Sequence, residues 1–590
     1  MISMNKTAAV LIVLLLLSSV LILTSEIVNA QNSDVIRIKA DGTVTGTDKI
    51  KQNGSVYTLT GDLQASVGQN EAFIFIEKSN ITLNGAGYTI QGSGSGSGIY
   101  MLRSQNVTIE NFTICGFSKG IDFWIVENWP SNSSYLNQPS AFNNHILNNK
   151  IEAISHINSN QTNEVGWCIY LSDAIQTVIS GNSFTCKNPQ GGVYFSNSTR
   201  NTSLINNNFT GCGVCSSSSN QTVAYGNMVD GKPLIYLDSK SNQVLEEAGL
   251  VYLFNCSSIV VKNVKPLYDY AVTVQLVDTI TSEISHSCGH VSLINSSNNS
   301  IHDNLLNSIT LYASSYNKVF TNKIADFSIC IKLYGDSSFN TIYDNILLDT
   351  AYSSDAERIH DSGFNTAAIQ LGDTQLGGAF NNNIYDNTII NHDCAFEFFL
   401  SSNNTITVNT IKDCKVGVQL GKSHFNTFTE NNITSCNRYA VSMYAESSNN
   451  TFYYNNFIDN KVQCIEAHQQ TLLSDSETYS VGNTWDNGKT GNYWDTYTGV
   501  DINGDGIGDT PYQVFEYMID NYPLMKPIEI SNSHNTIDIP AYDPTPIHPT
   551  PGGIMQALSD TKTLTLIIAV CIILGVISGL LIYFRRLIFR

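Results

Sequence analysis

One short phrase recurs seven times in the second half of this chain: an Asn, an apolar residue two positions later, and a second Asn five positions after the first. The first Asn is Asn299, Asn317, Asn340, Asn382, Asn404, Asn426 or Asn450, and the second is Asn304, Asn322, Asn345, Asn387, Asn409, Asn431 or Asn455. Most phrases lie about 22 residues apart, with one longer interval after Asn345. A fixed period of this size is typical of a solenoid, in which each coil is stabilised by stacking on the next.

The residues around each phrase predict short β-strands joined by tight bends. Apolar residues stand two and seven positions after the first Asn, and apolar and polar residues alternate around them, as in residues 416–420. This period-2 pattern with β-branched residues favours strands over helices. Asn suits the bends because it tolerates left-handed backbone angles, and stacked Asn amides can hydrogen-bond from coil to coil. We therefore predict an all-β, single-stranded parallel β-helix with an Asn ladder.

The two ends of the chain have a different character. Lys6, an apolar run over residues 8–23 and the triplet at 28–30 predict a signal peptide, with an uncleaved anchor as the alternative. Residues 564–584 carry no charge and are followed by Arg585 and Arg586, which predicts one transmembrane helix and a cytoplasmic tail. We expect a single-pass cell-surface protein whose body lies outside the cell. The predicted segments are 1–30 signal peptide, 31–73 N-terminal cap, 74–467 β-helix, 468–526 calcium-loop cap, 527–562 Pro/Thr-rich linker, 563–584 transmembrane helix and 585–590 tail.

The formal net charge of −20 argues against a nucleic-acid function, because such a surface repels phosphate backbones. Several Asn-x-Ser/Thr sequons permit glycosylation in a secreted glycoprotein. Cys414 and Cys436 both stand ten residues after the first Asn of their coil, which predicts an inward column. They are either buried thiols or disulfide partners between coils, and the close pair Cys212 and Cys215 is a weak metal or redox signal.

A loop after the repeats has the spacing of a calcium site. Oxygen-bearing residues occupy positions 1, 3, 5 and 9, with Gly506 at position 6. The predicted ligands are Asp501, Asn503, Asp505, Asp509 and the carbonyl of Ile507. Position 12 is Tyr512 rather than Glu, so another carboxylate must complete the shell: Asp486, Asp495 or Asp520. We expect a structural calcium ion that closes the end of the solenoid; the alternative is a turn without an ion.

Five strings carry a family resemblance: residues 85–92, 231–236, 483–495, 509–512 and 520–524. Together they resemble archaeal surface proteins with NosD-like repeats over about residues 35–525. The NosD family takes its name from a periplasmic copper-binding protein. The resemblance implies a pectin-lyase-like, right-handed parallel β-helix, and it makes copper a further cofactor to consider. It is specific for the fold and weak for the activity.

Three functions compete. We favour a non-catalytic surface module that binds glycans or surface-layer proteins through aromatic loops, because rings stack on sugars. The aromatic residues are Trp124, Trp129, Tyr135 and Trp167. The alternative for these rings is that they cover coil edges.

The second function is that of a polysaccharide lyase, hydrolase or epimerase, which needs carboxylates with an acid or base. Its residues would be Asp355, Glu357, Arg358, His360 and Asp361 in the long interval of the repeat. The third is copper binding by His286, Cys288 and His290, which stand at every second residue and hence on one face of a strand. Hydrogen-bonded coil residues are the alternative there.

Overall fold

The computed structural model describes residues 35–530 apart from gaps at 69–70, 102–103, 124–140, 158–162, 165, 187–190, 197, 217–221, 268–271, 326, 350–365, 445 and 468–479. The predicted signal peptide, transmembrane segment and tail lie outside these residues. Within them every regular element is a β-strand, and no helix long and apolar enough to cross a membrane occurs there.

Nearly all strand pairs are parallel and join one coil to the next, so the predicted all-β parallel β-helix is confirmed. Two sheets serve the first half of the coils. One contains Val44–Thr45, Ile36–Ile38, Ala72–Ile76, Ser97–Met101, Lys119–Asp122, Trp167–Leu171, Gly192–Phe195 and Gly213–Ser216. The other contains Ile50–Asn53, Val56–Leu59, Ile81–Asn84, Val107–Glu110, His145–Leu147, Val178–Ser180, Ser203–Ile205 and Val223–Tyr225.

A third sheet begins in the first half and continues into the second. Its strands are Leu63–Gln64, Thr89–Gln91, Thr113–Phe117, Lys150–Ala153, Ser183–Cys186, Asn208–Thr210, Met228–Val229, Lys232–Asp238, Leu250–Phe254, Val274–Val277, Cys288–Ile294 and Leu305–Tyr312. The sheet then divides into two columns of strands. The first column is Lys323–Ala325, Ile346–Leu348, Thr388–Ile390, Thr410–Lys412, Asn432–Thr434, Asn456–Ile458 and Tyr493–Trp494. The second column, which we name the site sheet, is Ile329–Tyr334, Ala367–Leu371, Cys394–Phe399, Val416–Gly421, Tyr439–Tyr444 and Cys464–Ala467.

The remaining large sheet belongs to the second half, and four short pairs complete the fold. The large sheet is Ser241–Glu246, Ser257–Lys262, Glu283–Ser285, Ser300–His302, Lys318–Phe320, Thr341–Tyr343, Asn383–Tyr385, Thr405–Thr407, Thr427–Thr429 and Thr451–Tyr453. The short pairs are Ala141–Phe142 with Ala174–Ile175, His156–Ile157 with Asn163–Glu164, Ser337–Ser338 with Ala379–Phe380, and Tyr512–Phe515 with Met518–Asp520.

The apolar positions of the repeat form two columns inside the coils. Residues two positions after the first Asn pair in register from coil to coil and are fully buried: Ile301, Val319, Ile342, Ile384, Ile406, Phe428 and Phe452. Residues seven positions after it pair in the same way: Leu306, Ile324, Leu347, Ile389, Ile411, Ile433 and Phe457. The prediction that chain position modulo the repeat fixes spatial neighbours is therefore confirmed.

The Asn ladder is also present, and it lies inside the coils. The Asn404 side chain illustrates the arrangement: its Oδ1 accepts from the backbone N–H of Asn382 at 2.9 Å and from Asn382 Nδ2 at 3.0 Å. Its own Nδ2 donates to the carbonyl of Ala379 and to Asn426 Oδ1, both at 3.0 Å. Asn404 is 1% exposed. Each amide thus hydrogen-bonds to backbone N–H and C=O groups at a bend. Without the amide these buried groups would lack a partner.

One expectation about these bends is wrong. The ladder asparagines do not adopt the left-handed backbone conformation; the residue before each of them does. Before the first Asn these residues are Asn298, Tyr316, Phe339, Asn381, Asn403, Phe425 and Asn449, and before the second they are Asp303, Thr321, Asp344, Asp386, Val408, Glu430 and Tyr454, all with φ between 51° and 60°. The Asn side chain points inward and holds the bend through hydrogen bonds, so the left-handed step falls on its neighbour, which points outward.

The ladder extends beyond the regular repeat in both directions. Towards the C-terminus, Asn450 and Asn455 donate to Asn483 and Asn492, so one more coil follows a long connection. In the first half, Asn149, Asn182, Asn207 and Asn227 form a continuous column. In the middle of the chain the same positions carry Ser or Thr, as at Ser282, whose Oγ accepts from the N–H of Ile259 at 3.1 Å.

The last coil is covered by tryptophans. Trp485 stacks on Phe452 with ring centroids 4.6 Å apart, and Trp494 stacks on Phe457 at 4.2 Å. Cys414 and Cys436 are buried in the interior of the coils as free thiols, which confirms that this position of the repeat points inward.

Candidate functional site

A row of polar side chains runs across the outer face of the site sheet, one residue per coil. Lys332 pairs in register with Gln370, Gln370 with Glu397, Glu397 with Gln419, and Gln419 with Ser442. Strand neighbours lie about 4.8 Å apart, so successive side chains are in contact range. We name these five residues the polar row. They alternate with core residues such as Phe396 and Phe398, and that alternation turns them outward.

Although it faces outward, the centre of the polar row is buried. Glu397 is 7% exposed and Gln419 is 4% exposed. Glu397 Oε2, Gln370 Oε1 and Gln419 Oε1 are buried oxygens without a hydrogen-bond partner among the described residues. Buried polar atoms in native proteins are nearly always hydrogen-bonded, so three unsatisfied oxygens on adjacent coils are an unusual feature of this face.

Glu397 and Asp373 have opposite acid–base character. Burial raises the pKa of Glu397 to about 7, with Asp373 raising it further and Lys332 lowering it. Burial also opposes ionisation of Asp373, but Lys332 Nζ, 2.8 Å from its carboxylate, and the N–H groups of Gln375 and Leu376 outweigh burial and lower its pKa. One carboxyl therefore holds a proton near neutral pH while the other stays ionised.

Aromatic rings flank the polar row on one side. Tyr312 and Tyr334 lie with ring centroids 5.1 Å apart, and Lys332 Nζ is 4.8 Å above the Tyr334 ring. The Tyr444 ring lies over Gly421, where an added Cβ would meet ring atoms at 2.3–2.6 Å, so only glycine leaves the ring in this position. Burial raises the pKa of Tyr444 to about 12, which keeps its hydroxyl protonated as a hydrogen-bond donor.

A second ion pair flanks the other side of the row. Lys415 Nζ is 2.7 Å from Asp393 Oδ1, and Thr366 Oγ1 donates to Asp393 Oδ2 at 2.6 Å. The Arg438 guanidinium lies 5.1 Å from the centroid of the Tyr439 ring. The face thus combines amides, paired charges and tyrosines, which are the groups that bind hydroxyl-rich ligands by hydrogen bonds and ring stacking.

The segment for which we predict a calcium loop folds as a tight turn. Asp501 accepts from the N–H groups of Gly504 at 2.6 Å and Gly506 at 2.8 Å, and Asp505 accepts from the N–H of Ile507 at 2.9 Å. Asn503 Nδ2 donates to Asp505 at 3.0 Å, and Asp509 accepts from the N–H of Ile502. The carboxylates therefore organise the loop backbone.

The loop is attached to the last coil. The N–H of Met525 donates to the carbonyl of Gly506 and the N–H of Gly508 donates to the carbonyl of Pro523, while Leu524 bridges to Tyr493 of the coil. The three carboxylates expected to complete the calcium shell have other partners. Asp520 accepts from the N–H of Asn492 and from Trp494 Nε1, Asp486 accepts from Asn521, and Asp495 accepts from Gln463 Nε2 and the N–H of Asp459.

The structure does not bring the predicted copper ligands together. A β-bulge after Gly289, whose φ is +94°, breaks the alternation on which the prediction rested. His286 is exposed at a left-handed step, Cys288 is half-buried, and His290 is buried with Nδ1 2.7 Å from Ser308 Oγ. Within the described ranges these three residues do not form a group of ligand atoms close enough to share an ion.

Trp167 is the one predicted glycan-stacking residue that the structure describes. It is half-buried in a cluster of rings, 5.2 Å from Tyr194, which stacks on Tyr170 at 4.5 Å. Trp124, Trp129 and Tyr135 lie outside the described residues, as do the catalytic candidates Asp355, Glu357, Arg358, His360 and Asp361.

The sequence analysis missed the polar row. A signal was available: Gln370, Glu397, Gln419 and Ser442 each lie between buried apolar residues of their strand and recur once per coil. An alignment of the outward-facing positions of successive coils, like the alignment that reveals the Asn ladder, brings these four residues into one column. The burial of Glu397 could not be read in this way, because it depends on packing outside its own strand.

Comparisons with known proteins give one family match and several structural likenesses. The NosD family, described as "Periplasmic copper-binding protein (NosD)", matches residues 353–499, a range that contains Asp373, Glu397 and Gln419. No curated protein matches the chain.

Three solved structures are among those similar to the chain. The mannuronan C-5 epimerase A-module of Azotobacter vinelandii is 16% identical with a TM-score of 0.25, covering 60% of this chain and 91% of its own. A PL6 alginate lyase in complex with a trisaccharide is 11% identical with a TM-score of 0.22, covering 64% and 78%. A family 28 exopolygalacturonase of Yersinia enterocolitica is 9% identical with a TM-score of 0.25, covering 59% and 73%.

Proposed function

We propose that this chain is a cell-surface β-helix protein that binds an extracellular polysaccharide along the polar row. The observation that carries the proposal is the set of three buried, unsatisfied oxygens of Gln370, Glu397 and Gln419 on adjacent coils. Sugar hydroxyls supply hydrogen-bond donors, and the tyrosines beside the row supply surfaces on which pyranose rings stack. The membrane anchor and the surface location remain proposals from the sequence.

Binding is tested with the purified full-length protein on an array of acidic and neutral polysaccharides, followed by calorimetry on the best ligand. We expect Gln419→Leu to weaken binding at least tenfold, because it leaves sugar hydroxyls without their acceptor. Lys332→Ala should weaken binding of acidic chains more than neutral ones. Lys412, exposed on another column of strands, provides the matched control, and Lys412→Ala should bind as the wild type does. Equal affinity in all variants would remove the polar row from the function.

A second function is favoured by a specific observation: the opposite pKa shifts of Glu397 and Asp373. A protonated Glu397 can donate a proton to a glycosidic oxygen while ionised Asp373 stabilises positive charge or acts as the base, which is the division of labour in carboxylate-catalysed glycan cleavage. The test is product analysis by chromatography and reducing-end detection with the bound polysaccharide. Loss of cleavage but not binding in Glu397→Gln would establish catalysis, and intact polysaccharide after prolonged incubation would leave a binding protein.

We propose in addition that the loop from Asp501 to Asp509 binds a structural calcium ion, as its ligand spacing predicts. The support is that the loop backbone is already folded around these carboxylates and attached to the last coil. Calcium at 100 times its dissociation constant would stabilise the fold by about 2.7 kcal/mol. A melting curve with calcium and with a chelator measures this, and Asp505→Ala should abolish the difference.

A further inference from the structure

Three thiols lie close together in the interior of the first half of the β-helix. Cys168, Cys186 and Cys212 come from three successive coils, and their sulfur atoms all lie within 4.8 Å of one another. Cys168 Sγ and Cys186 Sγ are 3.4 Å apart. Among the residues that the structure describes, no other group of three or more His, Cys, Asp or Glu side chains brings its ligand atoms this close together.

The fold delivers these sulfurs to one place by the same stacking that builds the Asn ladder. Cys168 is in the strand Trp167–Leu171, Cys186 ends the strand Ser183–Cys186, and Cys212 directly precedes Gly213–Ser216. Cys168 and Cys212 are 0% exposed and Cys186 is 7% exposed. Cys215, the other member of the close pair in sequence, is on the exposed face and takes no part. The three thiols therefore converge inside the β-helix, with Cys186 at the accessible edge.

Sulfur ligands select soft cations such as Cu(I) over hard ones. Three sulfurs at about 2.3 Å from one ion in a planar arrangement are about 4.0 Å apart, which fits the spacing here. Structural zinc sites take four protein ligands, whereas Cu(I) is stable with three. No fourth His, Cys, Asp or Glu joins this group among the residues described.

We propose that Cys168, Cys186 and Cys212 bind one Cu(I) ion inside the solenoid. Binding would release thiol protons to solvent and tie three consecutive coils together. The site is separate from the polar row and does not depend on polysaccharide binding. It also differs from the predicted copper ligands His286, Cys288 and His290, which belong to later coils.

The experiment is an anaerobic Cu(I) titration of the reduced full-length protein against a chromophoric Cu(I) chelator. We expect one Cu(I) per chain to be retained, with sulfur-only, three-coordinate copper in the X-ray absorption spectrum. Cys168→Ser, Cys186→Ser and Cys212→Ser should each lose the ion. Cys414→Ser, at a buried thiol of a distant coil, is the matched control and should retain it.

A second readout needs no variant and covers the case in which a substitution impairs folding. Cu(I) should slow alkylation of Cys186 in the wild-type protein, measured by peptide mass spectrometry. The proposal is overturned if the three variants retain copper as the control does, or if copper carries nitrogen or oxygen ligands. It is also overturned if Zn(II) displaces Cu(I) at equal concentration, or if Cys168 and Cys186 form a disulfide that persists in reductant.

Discussion

At the scale of single residues, the bends of this solenoid place a strained backbone step on whichever residue precedes a ladder Asn. Asn, Asp and Gly accept a positive φ at little cost, but the same position is filled by Phe425, Tyr316 and Val408 in other coils. A left-handed conformation costs an ordinary residue about 1–2 kcal/mol, and a β-branched side chain suffers most. The coils tolerate this because the inward hydrogen bonds of the neighbouring Asn fix the bend regardless of the residue before it.

Val408→Asn should therefore raise the stability of the protein. Val408 is half-buried with φ 59°, and the equivalent residues of other coils include Asp344 and Asp386. We expect a gain of about 1 kcal/mol, seen as a higher melting temperature. Thr407→Asn in the adjacent strand is the control and should give no gain, because Thr407 already has an extended backbone. An unchanged melting temperature for Val408→Asn would mean that the strain is relieved elsewhere.

Glu397 makes a residue-scale prediction about pH. Its pKa of about 7 in the folded protein lies above the ordinary value of 4.5, so the folded state holds the proton more tightly than the unfolded state. The associated stability is present below pH 4.5 and is lost as the pH rises towards about 7, a difference of about 3 kcal/mol. Glu397→Gln, which cannot ionise, should raise the melting temperature at pH 8 and leave it nearly unchanged at pH 4. Equal effects at both pH values would contradict the assigned pKa.

At the scale of elements, the Asn ladder does for this solenoid what capping residues do for helices. Each amide satisfies an N–H and a carbonyl at the bend of the preceding coil, so the buried bends contain few unpaired backbone groups. Ser and Thr replace Asn in the middle of the chain, where the Oγ of Ser287 still accepts from the N–H of Val264 at 3.1 Å. A hydroxyl supplies part of the same bonding with a shorter reach.

Replacing a ladder residue should produce a graded loss. Asn404→Ala would remove the side-chain hydrogen bonds to the N–H of Asn382 and the carbonyl of Ala379 in the interior, at a cost on the order of 3 kcal/mol. Asn404→Ser should cost less, since its hydroxyl can bond one of these groups. Thr405→Ala, at an exposed neighbour, should change stability by no more than about 0.5 kcal/mol. Thermal unfolding of the three variants measures the order, and equal losses for Ala and Ser would contradict the bonding scheme.

The fold could be predicted from the sequence because one repeat dictates every coil. Ile406, Phe428 and Phe452 are neighbours in space for the same reason that they are equivalent in the phrase. The candidate site could not be predicted so well. Glu397 owes its pKa to burial, and the convergence of Cys168, Cys186 and Cys212 depends on coils whose sequence pattern is degraded. The side chains of His286, Cys288 and His290 do not converge as alternation predicts, because a bulge after Gly289 interrupts the strand, and a bulge is not visible in the alternation of the sequence.

At the scale of the whole molecule, a stack of coils exposes an apolar interior at each end unless other residues cover it. The structure describes such a stack within residues 35–530. Two large clusters of buried apolar residues follow one another along the chain, the first over residues 36–277 and the second over residues 248–518. Alternate residues of the strand Leu250–Phe254 belong to the two clusters, so the clusters lie on opposite faces of this strand, and both of its faces are buried. The last coil would present Phe452 and Phe457 to solvent without the tryptophans that follow.

Removing that cover should convert a stable solenoid into an aggregating one. A chain that ends at residue 467 loses Asn483 and Asn492, the partners of Asn450 and Asn455, and exposes unpaired strand edges together with two aromatic rings. Open parallel edges of this kind recruit other chains. A chain that ends at residue 530 keeps the cover and is the control. Size-exclusion chromatography should show a monodisperse species for the longer chain and aggregates for the shorter one. If the shorter chain elutes as a single species and melts at the same temperature, the segment after residue 480 does not protect the end of the β-helix, and the last coil must be stabilised by its own residues.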